Sequence, residues 1–159
     1  MSQGAVSVEV RGILPANSGC AVFIGNEEKV FVIQVEHNMG AVIGMFLNDT
    51  PKERPLTHDL FRDVITALGH SLKEVRIVDL QEGTFYADLI FDRDIKVSAR
   101  PSDSVAIALR VGVPIYVEEA VLALAEQASQ EMTAVAAWLD GGEDVDAIFT
   151  LPNGACVTL

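Results

Sequence analysis

The chain has 159 residues, half of them apolar, and a positive mean hydropathy, which suits one compact domain with a sizeable core and excludes disorder over most of its length. Its formal net charge of −12, with only 11 lysines and arginines, opposes bulk electrostatic binding to nucleic acid, because such binding rests on basic side chains neutralising phosphates. No apolar run approaches the ~20 residues that span a bilayer, and the opening MSQGAVSVEV lacks the basic and apolar regions of a signal peptide, so a cytoplasmic protein with no membrane association is expected.

Alternation of apolar and polar residues predicts strands over VSVEVRGIL and KVFVIQV, with the apolar run CAVFIG as a third between them. Pro15-Ala16-Asn17-Ser18-Gly19 and Gly25-Asn26-Glu27-Glu28 supply the turns. NMGAVIGMFL reads as a short buried helix, weakened by Gly40 and Gly44. A second helix is predicted from His58 to Leu68: Leu60, Phe61, Val64, Ile65 and Leu68 share one face, Asp59, Arg62, Asp63 and Thr66 the other. Thr57 is its expected N-cap, and His70, after Gly69, its expected C-terminal cap. KEVRIVDL, TFYADLIF and IKVSAR follow as strands, then the helix DSVAIALRVG, stopped by Gly112 and Pro114. PIYVEE is a further strand and AVLALAEQASQEMTAVAAWL a long helix. Residues 141–159 form a tail after a domain of 1–140, with a hairpin expected around Asn153-Gly154. Cys20 and Cys156 have no metal-ligand neighbours and read as free thiols, with a long-range disulfide as the alternative.

Sliding the sequence by 64 residues superposes Cys20–Gly25 on Thr84–Leu89 and Phe31–Met45 on Ile95–Leu109 in apolar pattern. The expected architecture is therefore α+β: a duplicated β-β-β-α unit forming a mixed sheet with packed helices. Its apolar strands, glycine-bearing first helix and alanine-rich last helix suggest more apolar surface than a small domain buries, hence a homo-oligomer, most simply a dimer.

Two Arg-Pro junctions, each where the chain enters a helix, hold the candidate chemistry. The first, KERPLTHDLFRDVI, offers Arg54, His58, Asp59 and Asp63. Asp59 and Asp63 are one helical turn apart, a spacing that permits joint Mg²⁺ coordination, and His58 is a candidate general base; the plainer alternative is a solvated helix face. The second, SARPSDSVAIALRVG, offers Arg100, Ser102 and Asp103. Ser102 or Asp103 is the expected N-cap, and free N–H groups there, with Arg100, can receive a phosphate; the alternative is a structural Arg100–Asp103 bridge. Phe85 and Tyr86 can stack a base, although such strand aromatics are more often core.

The segments RPLTHDL, TFYADL, SARPSDSVAIA and GVPIYV, in this order and spacing, resemble the bifunctional nuclease domain family over about residues 6 to 120. The resemblance implies an α+β fold with a duplicated motif and DNase and RNase activity. Members of that family usually carry a Leu-Pro-Ile-Trp-Ile-Gly strand and an acidic residue opening the first helix; here Gln34 and Met39 occupy those places. Together, residues and resemblance point to hydrolysis of nucleic-acid phosphodiesters. Asp59, Asp63 and Asp103 would hold Mg²⁺ or Mn²⁺, Arg54, Arg100 and Ser102 would bind phosphate, and His58, Asp59, Asp63 and Asp103 would form the catalytic set. A non-catalytic binding or regulatory module is the alternative.

Overall fold

The turns organise the sheet from its ends inward. Asn26 accepts at Oδ1 from the backbone N–H groups of Glu28 and Lys29, both at 2.9 Å, a side-chain mimic of a backbone turn. That turn joins β2 (Gly19–Gly25) to β3 (Val30–Val35), while β1 (Ala5–Ala16) pairs antiparallel with β2. The computed structural model describes residues 4–17, 19–125, 148–150 and 156–158. A second antiparallel meander comes next, of β4 (Leu72–Gln81), β5 (Thr84–Phe91) and β6 (Lys96–Ala99), with Glu82-Gly83 and Arg93-Asp94 turning at positive φ. β7 (Ile115–Glu118) lies between the meanders, antiparallel to β1 and parallel to β4. The result is a mixed seven-stranded sheet in the order β3-β2-β1-β7-β4-β5-β6, as expected for the α+β class.

Among the described residues four helices join the sheet: α1 (His37–Leu47), α2 (Thr57–Ala67), α3 (Pro101–Val111) and α4, described over 119–125. Each meander is followed by a helix, α1 after β3 and α3 after β6, so the element orders agree at the offset seen in the sequence. Alternate strand residues, among them Val22, Ile24, Phe31, Ile33, Val75, Ile77 and Leu89, face one core. α3 enters that core deepest, with Ser104 to Ala108 all buried. Gly112, at φ 84°, ends it in a left-handed conformation, as its sequence position predicts.

Gly40 proves to be a packing residue. A Cβ there would overlap Sγ and Cβ of the buried, free Cys20 on β2, whereas one at Gly44 would meet only Ile13 at 3.9 Å. The glycine lets α1 sit directly on the strand, at the ~1 kcal/mol that helix propensity loses.

The helix starts differ from expectation. Leu56 rather than Thr57 is the N-cap of α2, and Arg100 rather than Ser102 or Asp103 that of α3. In α3 the reason is Pro101, which favours the first helical position because it has no N–H to satisfy. In α2 it is Asp59, whose carboxylate reaches back to the Leu56 N–H. His70 does cap α2, its backbone N–H bonding the Ile65 carbonyl at 3.1 Å after Gly69 turns at φ 82°; its Nδ1 also meets Asp92 Oδ1 at 3.0 Å and ties the end of the helix to the β5–β6 turn. β8 (Ile148–Thr150) and β9 (Cys156–Thr158) pair antiparallel. The expected turn at Asn153-Gly154, the expected helix beyond residue 125 and the side chain of Cys156 lie outside the described residues. Among the described residues no helix is long and apolar enough to cross a membrane.

Gly40→Ala will lower thermal stability despite its better helix propensity, by about 1–3 kcal/mol of overpacking. Gly44→Ala will not, and Cys20→Ala in the Gly40→Ala background will restore only part of the loss, because the Cβ kept at position 20 still lies 2.6 Å from the new one. Thermal melts of the three variants check the contact.

Candidate functional site

α2 turns the polar start of its first turn inward. Asp59 is only 2% exposed, and its carboxylate accepts from Lys52 Nζ at 2.6 Å, from the Leu56 N–H at 2.8 Å and from Arg110 Nε near the end of α3. Burial pushes this carboxyl up; the hydrogen bonds from Lys52, Leu56 and Arg110 and the Arg110 charge outweigh it and hold the pKa at about 2. Both cations also lie over the ring of Phe46 on α1, Lys52 at 4.7 Å and Arg110 at 5.8 Å from its centroid. One buried carboxylate thus joins the α1–α2 connection, α2 and α3.

His58, the preceding residue, packs edge-on against the same Phe46 at 6.2 Å and is 9% exposed. Its Nε2 lies 3.0 Å from Asp103 Oδ1 in the first turn of α3. An ionised carboxylate only accepts, so Nε2 carries a proton in this contact. The other oxygen of Asp103 accepts from Arg100 Nε at 2.9 Å, and Arg100 Nη1 lies 3.6 Å from Glu36 at the start of α1. Burial pushes the Asp103 carboxyl up, but the hydrogen bonds and charges of Arg100 and His58 prevail and leave it below its ordinary range. The bond from Asp103 in turn raises Arg100, a fixed cation with a largely exposed side chain.

The two Arg-Pro junctions therefore meet through His58 and Asp103, 45 residues apart in sequence. Arg100 stands at the cap of α3, with Ser102 in the first turn of that helix. Around the buried Asp59 lies a cleft of about 180 Å³ lined by Lys52, Arg54, Arg62 and Arg110, with Glu53 and Asp59 as its acids. Four of the chain's 11 basic residues face this one cleft, the local concentration of positive charge that the acidic composition hides.

The three aspartates expected to share a metal do not converge. Asp59 is occupied by Lys52 and Arg110, Asp63 is exposed and pairs with the adjacent Arg62 at 2.9 Å, and Asp103 is held by His58 and Arg100. Among the described residues no group of three or more His, Cys, Asp or Glu is placed to hold a metal ion, and the residues present do not fit a Mg²⁺ or Mn²⁺ site. Phe85 is half-buried with its ring 5.5 Å from Phe31, and Tyr86 is exposed. Lys52, Arg110, Phe46 and Glu36 were not legible as site residues. Arg110 reads as one polar position in an apolar helix, and nothing local to Lys52 or Glu36 marks a partner.

An α+β fold with two arginine-flanked helix starts joined by a His–Asp contact is the frame, and residues 22–130 match the bifunctional nuclease domain; the chain belongs to that family. It is also 71% identical, over 100 residues, to two uncharacterized proteins of Mycobacterium tuberculosis, one from strain CDC 1551 / Oshkosh and one from strain ATCC 25618 / H37Rv. The match covers 63% of this chain and 61% of each relative.

The Asp59 cluster sets an acid limit. Its carboxyl falls from an ordinary value of 3.8 to about 2 on folding, so its contribution is complete above the unfolded value and is lost as pH falls toward 2, on the order of 2 kcal/mol. Melting temperature will drop over that window, and Asp59→Asn will flatten that part of the curve. At neutral pH Asp59→Ala will cost about 3 kcal/mol, because it leaves Lys52 and Arg110 without their buried partner. Thermal melts from pH 2 to 7 check both.

Proposed function

We propose that the protein binds nucleic-acid phosphodiesters at the α2–α3 junction and hydrolyses them. The contact of His58 with Asp103 carries this reading, because through Asp103 it links Arg100 to the helix whose Asp59 and Arg62 line a basic cleft. Arg54 and Arg62, which line the cleft, bind one phosphate; Arg100 and Ser102 bind the next. Asp103 holds the ring with its proton on Nε2, the orienting role a carboxylate plays beside a catalytic histidine. Nδ1 takes a proton from water as the water oxygen forms its bond to phosphorus. The bond from phosphorus to the sugar oxygen breaks, and that oxygen is protonated from solvent.

A second reading has its own support. His58 is nearly buried, and Asp59, Asp63 and Asp103 are each already paired with a cation of the chain. That pattern suits a phosphate-binding module with no chemistry of its own. The correspondence of β1-β2-β3-α1 with β4-β5-β6-α3 further supports the proposal that the halves are copies of one unit.

Highly purified protein on a fluorescent single-stranded oligonucleotide separates these readings. Cleavage that His58→Gln abolishes with binding intact supports the hydrolytic reading; binding without cleavage in the wild type establishes the module. Cleavage that EDTA abolishes and Mn²⁺ restores, and that Asp103→Asn also removes, returns a metal to the mechanism. Arg54→Ala with Arg62→Ala will weaken oligonucleotide binding at least tenfold and reduce its salt slope by about two, with melting temperature little changed. An unchanged slope would show that the cleft does not bind phosphate.

A further inference from the structure

A second cavity, larger and different in chemistry, opens on the far side of Arg100. It measures about 530 Å³ and lies between β3, the β4–β5 hairpin and the starts of α1 and α3. That size falls within the ~300–1,000 Å³ of small-molecule sites. Its inner walls are apolar, formed by Ile33, Val35, Met39, Leu80 and Phe85. Its polar groups are Gln34, Glu36, Thr84, Arg100 and Ser102, and the first four of these belong to residues exposed to solvent.

We propose that this cavity receives the base of a single nucleotide whose phosphate is held by Arg100. The inference rests on the phosphodiester reading above and adds a base subsite to it. The shape of the chemistry is the reason. The ligand must have an apolar body for the inner walls and an anionic end for Arg100, whose guanidinium is tied to the mouth by Asp103 at 2.9 Å and Glu36 at 3.6 Å. A nucleotide joins a flat, stackable ring to a phosphate at that reach. Phe85, tilted 32° against Phe31, presents aromatic surface at the wall, and base–aromatic stacking tolerates any base. Gln34 has an amide with both donor and acceptor groups for the polar edge of the ring. Glu36 accepts from a sugar hydroxyl and, like the net charge of −12, disfavours a longer polyanion across this mouth. The subsite thus suits a terminal or unstacked nucleotide rather than a duplex.

Isothermal titration of the full chain with adenosine 5′-monophosphate, ribose 5-phosphate and adenosine tests it. The monophosphate is expected to bind at least tenfold tighter than ribose 5-phosphate. Thr84→Trp or Gln34→Trp, each adding bulk from an exposed position at the mouth, is expected to erase that difference and leave ribose 5-phosphate binding in place. Two variants on different strands guard against one failing to fold, and a melt confirms each. Equal affinity for the monophosphate and ribose 5-phosphate overturns the base subsite while the phosphate site stands. Binding of adenosine that both tryptophan variants abolish, with none of ribose 5-phosphate, keeps the cavity and overturns the phosphate assignment. No binding of any of the three overturns both.

Discussion

A carboxylate removed from water is tolerated only where cations and N–H groups replace the water, and for Asp59 those replacements come from three separate parts of the chain. Lys52 comes from the connection before α2, Arg110 from the far end of α3, and the Leu56 N–H from the cap of α2 itself. Satisfying one side chain therefore fixes the rotation of α2 about its axis. With that rotation set, His58 points at Asp103, and the apolar stripe of the helix faces out: Leu60 is 58% and Leu68 71% exposed. The cluster gives up burial of that stripe in exchange for the meeting of the two helix starts. Phe46 shares the load, since its ring is touched by Lys52, Arg110 and His58.

The same arrangement reconciles a strongly acidic chain with an anionic ligand. Long-range repulsion set by a net charge of −12 is screened within about 8 Å at physiological salt. Contacts in a cleft lined by Lys52, Arg54, Arg62 and Arg110 operate inside that distance. Overall charge governs how fast a polyanion approaches, while the cleft governs what happens on arrival.

Most of the fold was legible because strand alternation and turn residues are local signals. The β2–β3 and β4–β5 hairpins, the stop at Gly112 and the element order repeated at one offset all derive from neighbours in sequence. α2 shows where that legibility ends. Its two faces were sorted correctly, Leu60, Phe61 and Val64 against Arg62, Asp63 and Thr66, yet the apolar face is largely the outward one. Choosing between faces requires knowing that Lys52 and Arg110 will be waiting for Asp59, which only the tertiary structure supplies. The caps failed for a related reason: Thr57, Ser102 and Asp103 are good capping types, but Asp59 and Pro101 had already set the helix starts earlier in the chain. The two Arg-Pro junctions were legible as candidate sites, and the contact of His58 with Asp103 joins them. The metal set was not legible, because spacing on a helix says nothing about which cations reach each carboxylate first.

β7 has a consequence for how the chain is made. It is the last of the seven strands in sequence, yet it sits at the centre of the sheet and is the sole strand between β1 and β4. As synthesis proceeds from the N-terminus, each meander can form its local hairpins as it emerges. The two cannot join until residues 115–118 leave the ribosome, so until then β1 and β4 each keep an open edge. Nascent chains shorter than this carry two unpaired strand borders, the surface on which chaperones and neighbouring chains act.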